Sequence, residues 1–240
     1  MKTDLHIHSC LSPCGDEQMD PRDLVGMARL CGLQLIALTD HNSAMNCPAA
    51  AEAAKRYGIG FIPGIEVNTA EDIHCVCLFP SLDAAMAFDA MLYEHIPFIP
   101  NRAKVFGEQK IVFPDGKTDT EQKLLLTGCD ISIMDLPLTV EEYGGLCWPA
   151  HVDRDANGLF AMLGTWPEDL MVPAAEIREF CPDGVPKHLK IIQASDSHDL
   201  GTLSETGGFE LPLESADFAG LYKYITGRNT WELCAKKENP

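Results

Sequence analysis

Short apolar runs recur along the chain, each ending on polar or ionisable residues, with helical spacings between them. The first, Asp4-Leu5-His6-Ile7-His8-Ser9, alternates strictly. Read as a strand, it places Asp4, His6 and His8 on one side and Leu5 and Ile7 on the other. The period then changes. Asp20-Pro21-Arg22-Asp23 reads as a helix start, with Asp20 as N-cap, Pro21 in the first turn and Asp23 near the positive end of the dipole. Leu24, Met27, Ala28 and Cys31 follow at helical spacing until Gly32 stops them. A buried-strand pattern, Leu33 to Leu38, ends on Thr39-Asp40-His41. Next come an alanine-rich helix from Pro48 to Tyr57, closed by Gly58, a strand through Phe61 to Val67 and another from His74 to Phe79. This order predicts parallel strands with crossover helices, an α/β sheet or barrel whose ligands gather at the carboxyl ends of strands.

From about residue 80 to 145 the rhythm breaks. The pattern there predicts an amphipathic helix over Asp83 to Tyr93, a hairpin over Gln109 to Thr118 turning on Pro114-Asp115-Gly116, and a helix ending near Tyr143. It resumes with strands at Leu146 to His151, Ala175 to Ile177 and Lys190 to Ala194. Phe218, Leu221, Tyr222 and Ile225 then form one apolar helix face. Residues 1–240 therefore read as one catalytic domain, with 80–145 an insertion or cap within it.

Composition narrows the class. With 46% hydrophobic and 22% charged residues the chain is an ordinary globular sequence. It has no run long enough to span a bilayer and no secretory leader pattern, so the expected compartment is the cytoplasm. The ten cysteines contain no Cys-x-x-Cys pair and lie mostly in apolar segments, reading as reduced, buried thiols. A formal net charge of −18 argues against a basic track for long nucleic acid and leaves a small phosphorylated substrate open.

The chemistry lies at the strand ends. Six of the eight histidines, His6, His8, His41, His74, His151 and His198, fall there. Asp16, Glu66 and Asp196 lie beside them or at equivalent places. Asp196 and His198 repeat the alternation of His6 and His8, so the first and last strands of a barrel would bring the two pairs together. These candidates exceed what one tetrahedral ion needs and suit two or three divalent ions sharing a carboxylate. Imidazole mixed with carboxylate suits zinc, manganese or iron, and the lack of thiolates argues against a structural zinc knot.

The motifs Asp4-Leu5-His6-Ile7-His8-Ser9, Thr39-Asp40-His41-Asn42, Pro63-Gly64-Ile65-Glu66-Val67, Pro149-Ala150-His151 and Ser195-Asp196-Ser197-His198 together resemble those of the PHP (polymerase and histidinol phosphatase) superfamily. The resemblance implies a distorted (β/α)7 barrel with a trinuclear metal site hydrolysing phosphoesters. Carried over, it places His6, His8, Glu66 and Asp196 on one metal. Glu66 bridges to a second held by His74 and His151, and Asp16, His41 and His198 hold a third. Asp16 follows a short insertion, Pro13-Cys14-Gly15. Asp4 and Asp40 are expected to orient ligand imidazoles.

The expected activity is hydrolysis of a small phosphomonoester, such as histidinol phosphate, a nucleotide or a nucleoside bisphosphate, by a metal-bridging hydroxide with no protein nucleophile. Arg154, three residues after His151, is the first candidate phosphate clamp, and Arg102 in the insertion the second. Two competitors are a 3′-5′ exonuclease or phosphodiesterase and a non-catalytic metal-binding regulatory module. The sequence leaves the oligomeric state open.

Overall fold

The computed structural model describes residues 1–228; residues 229–240, included in the expected domain, lie outside the described part. Its main sheet has six strands: β1 (Lys2–Ile7), β2 (Leu35–Leu38), β3 (Gly60–Asn68), β4 (His74–Leu78), β7 (Leu146–Pro149) and β10 (Phe209–Glu210). Their order is β10-β1-β2-β3-β4-β7. β5 (Lys110–Val112) and β6 (Thr118–Thr120) form the expected hairpin, and β8 (Ala174–Ile177) pairs in parallel with β9 (Lys190–Gln193). The result is a mixed α/β fold around a curled sheet. Among the described residues no ladder joins β7 to β8 or β9 to β1. The backbone bonds Val152 N to Glu176 O and His8 N to Ser197 O span those two gaps.

The helices follow their sequence signals. α1 (Pro21–Leu30) starts on Asp20, whose carboxylate accepts from Arg22 N, and α2 (Cys47–Tyr57) ends at Gly58 in the left-handed region at φ 68°. α3 (Leu82–His95), α4 (Ala103–Phe106) and α5 (Leu136–Glu142) belong to the inserted segment. α6 (Leu159–Leu163), α7 (Leu200–Thr206) and α8 (Phe218–Thr226) complete the set. One core packs α1, α2, α3 and α5 against Ile7, Ile36, Leu38, Ile65, Cys75 and Cys77. The second gathers Leu5, Leu35, Ala37, Ile62, Val76 and Trp148, with Phe218, Leu221, Tyr222 and Ile225 of α8 packed on it.

Three expectations change. β1, β2 and β3 run parallel, but β4 is antiparallel to β3, and β7 to β4. The connection from Asn68 to His74 is too short for the crossover helix a parallel pair needs. His74 therefore begins its strand rather than ending one, and antiparallel pairing still brings it to the edge where β3 ends. Leu5 and Ile7 do not share a face: the β1–β2 register slips between Asp4 and Ile7, and the two residues pack into different cores. A bulge inserts one residue and breaks strict alternation. Finally, the nine described cysteines are all free, but Cys14 and Cys181 are exposed rather than buried.

Candidate metal centre

Every element that brings a histidine to the common edge does so at its end. β1 carries His6 and leads directly to His8, β2 leads to His41, β3 carries Glu66, β4 opens with His74, and β7 leads to His151. The segment after β9 supplies Asp196 and His198, held against β1 by the Ile7–Ser197 bridge. His151 and Asp196 adopt positive φ, 28° and 52°, a conformation that side chains other than glycine rarely hold. Strain of this kind persists where the surroundings fix a functional side chain.

Glu66 is the hub. Its Oε1 lies 3.2 Å from His6 Nε2, 3.0 Å from His74 Nδ1 and 3.1 Å from His151 Nε2; its Oε2 lies 3.3 Å from His8 Nε2 and 2.9 Å from His41 Nδ1. Asp196 Oδ1 approaches His8 Nε2 at 3.2 Å and His6 Nε2 at 3.5 Å, and the two Nε2 atoms are 3.0 Å apart. Donors bound to one ion at about 2.0–2.2 Å sit roughly 2.9–3.5 Å from one another, so these separations are those of a coordination sphere. His41 Nδ1 and His74 Nδ1 are buried and make no hydrogen bond. Buried lone pairs converging without partners are satisfied by a cation. The donor set therefore fits divalent metal.

Three groups converge closely enough to share an ion: His6, His8, Glu66 and Asp196; His41, Glu66 and His74; and His8, His41 and His198. The first is the set the resemblance implies. In the second His41 stands with Glu66 and His74, while His151 reaches Glu66 from beside it. In the third His8 takes the place assigned to Asp16. The Asp16 carboxylate is exposed and accepts from Gln18 N at 2.8 Å, although its own amide donates to His198 O at 2.8 Å.

Charge is divided unevenly. Burial opposes the Glu66 carboxylate, but His74, His6 and His41 outweigh it and hold the carboxyl well below the usual range. Asp196 is held low in the same way, burial being overcome by His6 and His8. Burial also disfavours charging of His6 and His8, yet carboxylates dominate both. Glu176, Glu66 and Asp196 push His6 well up, and Asp196 and Glu66 bring His8 to about 9. Burial, aided by neighbouring His8, pushes His41 down to about 4 and His198 to about 3.

Around the cluster, Asp40 accepts from Ser9 and Ser12 rather than from an imidazole. Asp4 accepts from the backbone amides of Ser195 at 3.1 Å and His6 at 3.4 Å, tying β1 to the Asp196 segment. The carboxylate that contacts a ligand ring directly is Glu176, buried and 2.8 Å from His6 Nδ1. Its signal in the sequence was one acid inside the apolar run Ala174-Ala175-Glu176-Ile177. Arg154 donates to Asp196 Oδ2 at 2.9 Å, and Arg178, unremarked in the sequence, reaches the same oxygen at 3.5 Å from the end of β8. Arg102 is exposed just before α4, its guanidinium over the Phe106 ring.

Clefts open both beside this centre and away from it. One of 310 Å³ is lined by Asp153, Arg154, Asp155, Arg178, Glu179 and Phe180. A polar cleft of 950 Å³ lies between Asp16–Gln18 and the hairpin strand Thr118–Thr120. An apolar one of 390 Å³ lies where β7 and β8 begin, at the far end of β7 from His151. Asn42, Asn46 and Asn68 fasten the inserted segment to the loops of the centre through Leu125, Thr127, Lys110, Val112 and Leu126. Among the described residues no helix is long and apolar enough to cross a membrane.

The fold is shared with known structures. A lesion-specific endonuclease from Pyrococcus furiosus, PfuEndoQ, superposes with a TM-score of 0.69 at 16% identity, over 94% of this chain and 56% of that one. A protein from Bifidobacterium adolescentis, described provisionally as a metal-dependent phosphoesterase, gives 0.59 at 17% identity, over 93% of this chain and 95% of that one. In sequence, the chain is 38% identical over 73 residues to a 3′,5′-nucleoside bisphosphate phosphatase of Chromobacterium violaceum. That match takes in 30% of this chain and only 25% of the relative's length. The PHP domain family model matches residues 4–139, which hold His6, His8, His41, Glu66 and His74, while His151, Asp196 and His198 join them in space. The chain belongs to the PHP domain family.

Proposed function

We propose that this chain is a metal-dependent hydrolase of phosphoester bonds acting on a small phosphomonoester, a nucleotide or nucleoside bisphosphate being within its range. The observation that carries the reading is Glu66, one buried carboxylate facing five imidazoles through its two oxygens. His6, His8, His41, Glu66, His74, His151, Asp196 and His198 would hold two or three ions of zinc, manganese or iron, with Asp16 at the rim. Such ions supply Lewis acidity toward phosphoryl oxygens and a water activated near neutral pH. The chain's own contribution is to aim the ligand atoms inward, keep them dry and offer two guanidinium groups beside them. Arg154 and Arg178 both rest on Asp196 Oδ2, at the edge of the 310 Å³ cleft. A phosphate entering there takes both as donors.

The cleft volume suits a small molecule, and the charge of −18 opposes a long polyanion. The fold likeness to an endonuclease favours the competing reading, a nuclease. The deciding experiment loads the protein with zinc, manganese or iron and measures phosphate release from phosphomonoesters and cleavage of a single-stranded oligonucleotide. Faster release from mononucleotides or bisphosphates supports the proposal, and preferential trimming of the oligonucleotide overturns the substrate assignment. No turnover on any phosphoester at full metal occupancy favours a regulatory module.

A further inference from the structure

We infer that Ser12 is a positioning residue whose hydroxyl links the Asp40 carboxylate to the His8 ring, fixing the imidazole as the Nδ1–H form with the Nε2 lone pair turned into the metal cluster. The inference rests on reading that cluster as a metal centre.

The assignment follows from counting donors and acceptors. Ser9 Oγ receives the Leu11 amide at 3.2 Å and the Asn46 side-chain amide at 2.8 Å, two groups that can only donate. The Ser9 proton therefore goes to Asp40 Oδ2, 2.6 Å away. Asp40 Oδ1 accepts from Ser9 N at 2.6 Å and faces Ser12 Oγ at 2.7 Å. An ionised Asp40 can only accept, and two oxygens 2.7 Å apart need a proton between them, so Ser12 donates to Asp40. That leaves Ser12 Oγ with two lone pairs. One receives the His41 amide at 3.1 Å; the other faces His8 Nδ1 at 2.9 Å. The chain of bonds closes only if His8 carries a proton on Nδ1. Nε2 is then the ring atom left for Asp196, Glu66 and the metal. All the side chains involved are buried.

The adjacent ligand His6 reaches the same orientation by another route, its Nδ1 donating straight to Glu176 Oε1 at 2.8 Å. Two rings of one His-x-His pair are thus oriented independently, and loss of Ser12 should disturb only one. Ser12 also touches both His8 and the amide of His41, coupling two loops that supply ligands.

The test reads tautomers and metal affinity rather than turnover. In zinc-loaded wild-type protein with ¹⁵N-labelled histidine, His8 shows a protonated, hydrogen-bonded Nδ1 and a metal-bound Nε2; an Nδ1 that binds the metal overturns the inference without any variant. In zinc-loaded S12A, the His8 Nδ1–H loses its hydrogen-bonded shift and exchanges faster with solvent while His6 keeps its own, and zinc affinity by chelator competition falls about 10- to 100-fold, the range for loss of an outer partner. S12T, which keeps the hydroxyl, restores both. An S12A protein with native circular dichroism, an unchanged His8 signature and zinc affinity within twofold of wild type overturns the relay. Wild-type protein that binds no metal refutes the metal-centre reading instead, so the two failures are distinguishable.

Discussion

Arg154 donates through Nη1 to Asp196 Oδ2 at 2.9 Å, while the other oxygen of Asp196 faces His8 Nε2. The guanidinium is thus parked on a candidate metal ligand where a phosphate would compete for it. R154A is expected to lower kcat/KM on a phosphomonoester roughly 100-fold, the scale for removing one donor to a developing anion. R154K restores little, because an ammonium cannot reproduce the planar fork. R178A has a smaller effect, since its longer 3.5 Å approach marks a weaker contact. Steady-state kinetics of the metal-loaded variants check this ordering, and an R154A loss below threefold sinks the clamp.

Metal loading should be visible as stability. A ligand binding only the folded state at 100 times its Kd adds about 2.7 kcal/mol, which for a chain of this size raises Tm by roughly 5–11 °C. Thermal melts with and without zinc or manganese measure it. E66A should abolish most of the shift, because Glu66 belongs to two of the three convergent groups. An unchanged metal-induced shift in E66A would remove Glu66 from the centre.

The sequence exposed the candidate ligands because metal chemistry restricts residue choice: His6, His8, Asp196 and His198 repeat one spacing, and few other purposes require it. It hid Glu176 because one glutamate in a four-residue strand carries no pattern, and its meaning comes only from the His6 ring 170 positions away. Arg178 and the asparagines that fasten the inserted segment were silent for the same reason. Local signals such as Asp20 before α1 and Gly58 after α2 placed the helices well. The direction of β4 is not legible in its pattern because strand periodicity carries no polarity; only the length of the 69–73 connection does. The bulge in β1 was equally invisible, and it shifts Leu5 away from the core that holds Ile7.

Asp4 provides a pH test. Burial pushes its carboxyl from 3.8 to about 6, against the hydrogen bonds from Ser195 and His6. A carboxyl that holds its proton more tightly when folded supports stability fully below its unfolded value, and that support is lost as pH rises through about 6. The shift corresponds to about 3 kcal/mol. D4N removes the titration, so the Tm of metal-free D4N relative to wild type should climb between pH 4 and 6 and level off above 7. Paired melts across that window decide it, and a difference independent of pH contradicts the burial argument.

Asn46 joins the inserted hairpin to the metal-centre loops. Its amide donates to Ser9 Oγ at 2.8 Å and Lys110 O at 3.1 Å, and its carbonyl accepts from Val112 N at 2.7 Å. The side chain is fully buried, so in N46A water cannot replace these bonds freely, and each group left unpaired costs about 1–3 kcal/mol. The expected result is a lower Tm together with hydrogen exchange at the Val112 amide accelerated roughly tenfold or more, since 1.4 kcal/mol of local opening is one decade. Amides of β2 and β3, bonded within the main sheet, should keep their ranking. Uniform loss of protection throughout would show a global core defect, whereas loss concentrated at 110–112 shows that Asn46 pins the hairpin to Ser9 and, through it, to Asp40.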